Sequence, residues 1–217
     1  TLYNIFLRSF IDTYCNQYTY TIYLVIDEND PIFSTQKTHK EINHILSKYK
    51  NISVQFISGK NIPKGWVTRM WNRAFKKAYD DKCDYFYQCG DDILLQSKNW
   101  VTNSIEILKK HKNIGLTGPL DMGRIQVGGE NSAPGGDRFI QTQSFVSRKH
   151  MELFGYFFPE EIKNWYCDDW ITKVYYPKYY YQIENSILNI GGPPRYEVVD
   201  KCPWEKLVKE GQKKLNL

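Results

Sequence analysis

The chain has 217 residues and a formal net charge of +5, and 41% of its residues are hydrophobic. That length suits one globular domain with a sizeable core, and the apolar content excludes a disordered, low-complexity chain. The positive charge is spread along the sequence rather than gathered in blocks, which argues against a nucleic-acid partner. No apolar run is long enough to cross a bilayer, so we predict no membrane span.

Cysteine usage points to a reducing compartment. The five cysteines form no Cys-x-x-Cys pair, and an odd number excludes a complete set of intramolecular disulfides. We therefore predict reduced thiols and a cytoplasmic location. The thiols are Cys15, Cys83, Cys89, Cys167 and Cys202. Because the sequence does not begin with methionine, we expect it to be part of a longer polypeptide.

Helical and strand-like patterns alternate along the first half of the chain, which predicts a layered α/β domain. Apolar residues at near-helical spacing predict helices at residues 2–14, 40–49 and 66–79. Runs rich in β-branched and aromatic residues predict strands at residues 20–26 and 52–57, and from residue 84 up to Asp91. A loop with glycine at both ends, residues 59–65, separates the second strand from the third helix.

The second half continues the alternation, with one exception. Helices are predicted at residues 100–111, 149–154 and 164–176, and strands at residues 114–117, 139–146 and 179–190. Residues 121–137 are rich in Gly, Asn and Ser and lack periodicity, so they are predicted to form a mobile loop near a site, or else a plain surface insertion. A Gly-rich stretch carrying Arg195 and a charged helical tail close the chain.

The third predicted strand ends in two adjacent carboxylates, Asp91 and Asp92, directly after Gly90. Glycine lets the backbone turn there, so that carboxylates at the strand end can face a cleft. Oxygen ligands of this kind suit Mg²⁺ or Mn²⁺, which keep several waters and share the phosphates of a substrate. An acidic pair after a strand is also found in ordinary turns and helix caps, and the residues leave that alternative open.

Several motifs together resemble a nucleotide-sugar-dependent glycosyltransferase of the GT-A fold, and the likeness spans most of the chain. Asp91 and Asp92 look like a variant of the Asp-x-Asp metal motif of that family. Residues 72–78, Asn-Arg-Ala-Phe-Lys-Lys-Ala, resemble the helix that often precedes it. Residues 154–159, Phe-Gly-Tyr-Phe-Phe-Pro, and 164–170, Asn-Trp-Tyr-Cys-Asp-Asp-Trp, resemble small transferases that include capsid-glycan enzymes of large DNA viruses.

The resemblance implies a single GT-A domain over residues 1–217, with a Rossmann-like, mixed and mostly parallel sheet flanked by helices. Residues 1–118 would form the nucleotide-binding half and residues 119–217 the acceptor-binding half. Family members usually begin with an apolar strand, whereas this sequence opens on the helix expected after it. We therefore expect the first strand, and part of the nucleotide pocket, to lie outside the sequence. For a viral enzyme the expected location is the host cytoplasm.

The resemblance also assigns roles in donor binding. Asp92, together with Asp91, would hold Mn²⁺ or Mg²⁺ with phosphate and water oxygens, since the C-terminal segment lacks the histidine that many members supply. The donor would be a nucleoside-diphosphate sugar, with a UDP-sugar expected. The residues implied in binding it are Asp27, Asp30, Lys64, Arg69, Asn72, Asp91 and Arg195. A solvated lysine, a surface arginine and a packing role for Asn72 are the alternatives.

The base that activates the acceptor would be Asp168 or Asp169, with a slight preference for Asp169; both could instead be structural carboxylates at a helix start. Trp165 and Trp170 are candidate platforms for an acceptor glycan or glycoprotein, or else core residues. The expected reaction inverts the configuration at the anomeric carbon, with retention as the alternative. The alternatives are a Mg²⁺-dependent nucleotidyltransferase, for which a Gly-rich phosphate loop is missing, and a glycan-binding domain without catalysis.

Overall fold

Helices pack on both sides of short strands in this protein. The computed structural model describes residues 1–191 and 202–216. The strands are β1 Tyr20–Ile26, β2 Ile52–Ser58, β3 Tyr85–Tyr87, β4 Ile93–Leu95, β5 Leu116–Thr117, β6 Leu120–Asp121, β7 Phe145–Ser147 and β8 Ser186–Asn189. The α-helices are α1 Arg8–Thr13, α2 Gln36–Leu46, α3 Val67–Asp80, α4 Trp100–Lys110, α5 Met122–Gly128, α6 Lys149–Phe154, α7 Cys167–Tyr175 and α8 Trp204–Leu215. A π-helix, Leu2–Leu7, precedes α1, and a 3₁₀ turn, Gly129–Ser132, follows α5.

Within the described residues the strands form three small sheets. β1 and β2 pair in parallel over their full lengths. β7 lies between β3 and β5 and is antiparallel to both, whereas β8 is antiparallel to β4 and parallel to β6. The mixed α/β class is therefore confirmed. Because three of the five described pairings are antiparallel, the mostly parallel GT-A sheet stays a prediction.

Hydrophobic side chains of the described residues form two cores, one on each face of β3 and β7. Side chains alternate along a strand, so Phe145 faces one core and Val146 faces the other. The π-helix, α1, α2 and α4 cover the Phe145 face, while α3, α6, α7 and α8 cover the Val146 face. The chain is thus layered, with helices on both sides of the strands, as the alternating sequence pattern predicts.

Close packing of α8 fixes the position of α7. A Cβ atom added to Gly211 of α8 would lie 2.7 Å from Cγ2 of Val174 on α7, so the two helices approach closely at this glycine. Trp170 on α7 is fully buried, so it is a core residue, which was one of the two roles considered from the sequence. The other candidate, Trp165, lies before α7 and is 40% exposed. The buried side of α7 therefore anchors a helix whose first turn carries Asp168 and Asp169.

The segment predicted as an irregular loop contains regular structure. Residues 122–132 form α5 and the 3₁₀ turn, so the loop prediction was wrong there. The carboxylate of Asp121 caps the N-terminus of α5. Its Oδ1 accepts hydrogen bonds from the backbone N–H groups of Gly123, at 3.1 Å, and Arg124, at 3.4 Å. A Cβ at Gly123 would lie 3.2 Å from Leu188 of β8, which shows that α5 packs directly on the third sheet.

The longest described helix, α3, has 14 residues and buries one side in the core on the Val146 face of the strands. Phe75 and Ala78 lie in that core, and Ala74 is also buried. Lys76 and Lys77 lie on the opposite side with acidic partners. Its length and its charged side are typical of a surface helix of a globular domain. Among the helices that the structure describes, none combines the length and the apolar content needed to cross a bilayer.

Asn72 joins α3 to the chain that follows α6. Its Oδ1 accepts hydrogen bonds from the backbone N–H groups of Phe157 and Phe158, at 3.1 and 2.8 Å, and its Nδ2 donates to the Phe158 carbonyl at 2.7 Å. All three bonds lie inside the protein. This use of the amide matches the packing alternative for Asn72.

We expect Asn72→Ala to lower the free energy of unfolding by about 2–3 kcal/mol, because two backbone N–H groups and one carbonyl lose their partner. Urea unfolding followed by circular dichroism measures the change. Lys76→Ala, on the exposed side of the same helix, is the matched control and should change stability by less than about 0.5 kcal/mol. Equal effects of the two substitutions would contradict this role of Asn72.

Candidate active site

The turn between β3 and β4 carries the first pair of carboxylates. Its backbone is held by the segment before β7, since the N–H of Gly90 donates to Oε1 of Gln143 at 3.2 Å. Asp91 accepts a hydrogen bond through Oδ2 from Oγ1 of Thr1. The structure thus places Asp91 and Asp92 next to each other just beyond the end of β3, where the sequence predicts them.

The carboxylate of Asp92 lies in a narrow space between two glycines. A Cβ atom at Gly90 would overlap its Oδ1, and a Cβ atom at Gly191 would overlap its Oδ2. The backbone N–H of Ile190 donates to the carbonyl of Asp92 at 3.0 Å, which fixes the end of β8 beside this turn. Any side chain at either glycine would therefore move the carboxylate.

The described residues fit a divalent cation with few protein ligands. No three His, Cys, Asp or Glu side chains among them converge on a common point. Neither oxygen of Asp92 accepts a hydrogen bond from residues 1–126, 131–191 or 202–216, so both can accept a cation. Mg²⁺ is commonly held by one or two carboxylates, with phosphate and water oxygens completing its shell. Asp92 and Asp91 meet that requirement.

A second acidic group lies at the carboxyl ends of β1 and β2. The backbone N–H of Gly59 donates to the Ile26 carbonyl at 2.6 Å, which brings the loop after β2 against the end of β1. Asp30 closes the turn after β1 by accepting through Oδ1 from the N–H groups of Ile32 and Phe33, at 2.8 and 2.7 Å. The pocket formed there has a volume of about 380 Å³ and is lined by Asp27, Glu28, Asn29, Asp30, Ile62 and Lys64.

This pocket unites three residues that the sequence predicts as donor ligands, Asp27, Asp30 and Lys64. Ligands of α/β proteins bind beyond the carboxyl ends of parallel strands, which is the position of this pocket relative to β1 and β2. Carboxylates there accept hydrogen bonds from hydroxyl and N–H groups, such as those of a ribose or a base. Lys64 supplies a positive charge at the same place.

The second pair of carboxylates, Asp168 and Asp169, begins α7. Tyr166 has a left-handed backbone, with φ of 74°, and its carbonyl accepts the N–H of Trp170 at 2.8 Å, so the chain turns sharply into the helix. The N–H of Asp169 donates to Oδ1 of Asp168 at 3.2 Å. Both side chains are partly buried. Each lies in the first turn, where the helix dipole favours negative charge.

Burial sets the acidity of this pair. Burial, and next the charge of Asp169, raises the pKa of Asp168 to about 6, although nearby Arg124 acts in the opposite direction. Burial also raises the pKa of Asp169, against the lowering effects of Arg124 and Lys173. A carboxylate with a pKa near 6 is ionised at neutral pH and takes up a proton more readily than an ordinary aspartate.

A chain of hydrogen bonds connects Gly90, next to the first acidic pair, to Thr172, which follows the second pair on α7. Gln143 accepts the N–H of Gly90 through its side chain, and its carbonyl accepts Nε2 of Gln141 at 2.9 Å. The N–H of Gln141 donates to Oγ1 of Thr172, at 2.8 Å, one turn beyond Asp168 and Asp169 on α7. Three residues of chain span no more than about 10 Å. The turn with Asp92 and the helix with Asp168 are thus tied to one short segment, residues 141–143.

Arg124 is a charged residue of this region that sequence reasoning missed. It lies on α5, and its positive charge lowers the pKa of both Asp168 and Asp169. Its Nε is buried and lacks a hydrogen-bond partner among the described residues. The sequence contains only a weak signal for it, a single arginine within the first part of a Gly-rich segment.

The remaining predicted ligands lie apart from these groups or outside the described chain. The Arg69 guanidinium stacks 3.7 Å above the Trp66 ring, and its Nε is 3.7 Å from Oε2 of Glu160. Asn72 is bonded to the chain after α6. Arg195 falls outside the described residues. The structure therefore groups Asp27, Asp30 and Lys64 in one pocket. It ties the turn that carries Asp91 and Asp92, and the helix that carries Asp168 and Asp169, to residues 141–143.

Comparisons with known proteins do not identify this arrangement. The chain matches no protein-family profile, and no curated protein matches it. The chemistry of the residues described above is therefore the basis for assigning a function.

Proposed function

We propose that this protein is a metal-dependent glycosyltransferase that moves a sugar from a nucleoside-diphosphate sugar, with UDP expected as the carrier, to an acceptor glycan. The observation that supports it most is the hydrogen-bonded connection from Gly90 through Gln143 and Gln141 to Thr172. Glycosyl transfer needs a cation at the leaving diphosphate and a base at the acceptor hydroxyl, both close to one carbon atom. Two acidic pairs tied to one short segment suit that need.

The proposal includes the GT-A fold. Its nucleotide-binding half would use β1 and β2, which are parallel and carry the pocket with Asp27 and Lys64 at their carboxyl ends. Helices on both faces of the strands agree with that architecture. In this arrangement Asp27 accepts hydrogen bonds from the ribose or the base, and Lys64 offsets part of the phosphate charge.

Asp92 and Asp91 are the residues that would hold Mn²⁺ or Mg²⁺. The chemistry that the bound cation supplies is stabilisation of negative charge on the leaving diphosphate, without transfer of a proton. Gly90 and Gly191 keep the Asp92 carboxylate in one position through close approach. The backbone bond from Ile190 to Asp92 holds β8 against the turn, so the carboxylate is oriented before a ligand arrives.

At the other pair, one aspartate takes the proton from the acceptor hydroxyl as its oxygen attacks the anomeric carbon of the donor. The bond from that carbon to the diphosphate oxygen breaks, and its electron pair leaves with the diphosphate. Asp168, with its pKa near 6, fits a base that works at neutral pH. We therefore favour Asp168 over Asp169. Trp165, three residues before Asp168 and 40% exposed, would contact the acceptor sugar.

Binding tests the proposal directly. UDP-, GDP- and dTDP-sugars, each with Mn²⁺ or with EDTA, should raise the melting temperature for one carrier, and only when Mn²⁺ is present. A ligand at 100 times its Kd adds about 2.7 kcal/mol, which corresponds to about 5–10 °C for a chain of this size. A protein that responds to none of these donors, with or without Mn²⁺, would contradict the proposal.

Gly191→Ala should weaken Mn²⁺ binding in the presence of the donor by at least about tenfold, the usual effect of disturbing the groups that orient a metal ligand. The added methyl group would overlap Oδ2 of Asp92 and push its carboxylate away. Titration of Mn²⁺ followed by electron paramagnetic resonance measures the affinity. If Gly191 acts through Asp92, Gly191→Ala has no further effect in an Asp92→Asn background. If the losses of Mn²⁺ affinity from Gly191→Ala and Asp92→Asn add in the double variant, this explanation is contradicted.

A further inference from the structure

Arg124 lies at the end of the third sheet that carries Asp92. β6 is parallel to β8, so α5, which follows β6, begins at the end where β8 finishes. β4 is antiparallel to β8, so Asp92, directly before β4, lies at that same end. The charge of Arg124 also acts on Asp168 and Asp169. Arg124 therefore lies at the same end of this sheet as Asp92, and its charge reaches the second acidic pair.

The guanidinium of Arg124 retains donors for a ligand. Among residues 1–126, 131–191 and 202–216, Arg124 has no ion-pair partner, and its buried Nε has no hydrogen-bond partner. A buried donor without a partner is uncommon in folded proteins and calls for an explanation. Lys173, the other cation that acts on Asp169, differs because its Nζ donates to the Asp137 carbonyl at 2.9 Å.

We propose that Arg124 binds the diphosphate of the donor, together with the cation that Asp92 would hold at the same end of the sheet. The inference rests on the proposed function. The planar fork of arginine matches two phosphate oxygens. The cation that Asp92 would hold attracts the diphosphate, whereas Asp168 and Asp169 repel it. As the bond between sugar and diphosphate breaks, the diphosphate gains charge, so Arg124 stabilises the transition state more than the bound donor.

Isothermal titration of the full chain with uridine, UMP, UDP and inorganic pyrophosphate, in Mn²⁺ and in EDTA, tests the assignment. In Arg124→Gln, UDP and pyrophosphate should bind at least about tenfold more weakly, with uridine unchanged. Arg124→Lys should fall between Arg124→Gln and the wild type, because it keeps the charge and loses the fork. The matched control is Arg138→Gln, because Arg138 is an exposed arginine further along the chain. This variant should bind UDP like the wild type. Melting temperatures of all variants report whether they fold.

The outcomes separate this inference from the proposed function. If UDP and pyrophosphate bind Arg124→Gln and the wild type equally, the role of Arg124 is overturned and the donor proposal stands. If pyrophosphate binding depends on Arg124 but none of UDP, GDP and dTDP binds better than pyrophosphate, the anion role stands and the nucleotide donor fails. If the wild type binds neither pyrophosphate nor any of these nucleotides, both are overturned.

Discussion

Replacing Asp92 with asparagine is expected to abolish the Mn²⁺-dependent part of donor binding and to leave the fold intact. Asparagine has the same size and fits between Gly90 and Gly191, but it lacks the charge that holds a divalent cation. Loss of a group that only orients a metal ligand costs about 10- to 100-fold in affinity, so loss of the ligand itself should cost about 100-fold or more. Titration of the donor in Mn²⁺ and in EDTA measures the difference. Asp92→Ala should behave the same way.

The matched control for Asp92 is Asp80→Asn, since Asp80 is an exposed carboxylate paired with Lys76 on α3. It should leave donor binding unchanged in both conditions. A structural carboxylate at Asp92 would give a different pattern, with lower stability of Asp92→Asn and equal donor affinity in Mn²⁺ and EDTA. That pattern would contradict a metal site at the end of β3.

Asp168→Asn is expected to stop transfer, to preserve donor binding and to raise the free energy of unfolding at neutral pH. In the unfolded chain the side chain loses its proton near pH 3.8, whereas in the folded protein burial raises its pKa to about 6. The folded state therefore binds the proton more tightly, and the stability of the protein falls as pH rises from about 4 to 6. Above this window the charge on Asp168 lowers the free energy of unfolding by up to about 3 kcal/mol. The uncharged asparagine would avoid this loss.

Urea unfolding at pH 4 and pH 7.5 measures this gain, which should be present at pH 7.5 and small at pH 4. The transfer rate of the wild type should rise with pH through about 6 and then level off, as the base loses its proton. Asp169→Asn is the matched comparison, and it should have a smaller effect on both properties. Lower stability of Asp168→Asn at pH 7.5 would instead indicate a structural carboxylate at a helix start.

The regular elements of this fold could be predicted where the periodicity is strong. The bounds predicted for β1 and α6 agree with Tyr20–Ile26 and Lys149–Phe154. The strand predicted at residues 139–146 shortens to Phe145–Ser147 for a physical reason that spacing does not reveal. The side-chain amide of Gln141 donates to the carbonyls of Pro119 and Gln143, at 2.9 Å each, so side-chain bonds replace a strand ladder there.

The acidic residues of the candidate site could be predicted because they are adjacent in sequence. Asp91 and Asp92, or Asp168 and Asp169, stand out as pairs after a strand or at a helix start. Arg124 and Gly191 could not be predicted, because each matters only through residues distant in sequence: Asp168 for Arg124 and Asp92 for Gly191. The sequence does not distinguish Trp165 from Trp170 as a core residue or a sugar platform. Only the packing shows that Trp170 lies in the core.

The identity of the product tests the central claim most directly. Phosphorus NMR of the protein with a UDP-sugar, Mg²⁺ and a mixture of acceptor glycans distinguishes release of UDP from release of a sugar 1-phosphate. A glycosyltransferase with Asp92 as metal ligand releases UDP only when Mn²⁺ or Mg²⁺ is present, and Asp92→Asn releases none. Sugar 1-phosphate as the product would contradict the account, because it marks transfer of the nucleotide by a nucleotidyltransferase. An intact donor, in this mixture and in parallel ones with GDP- and dTDP-sugars, would favour a glycan-binding domain without catalysis.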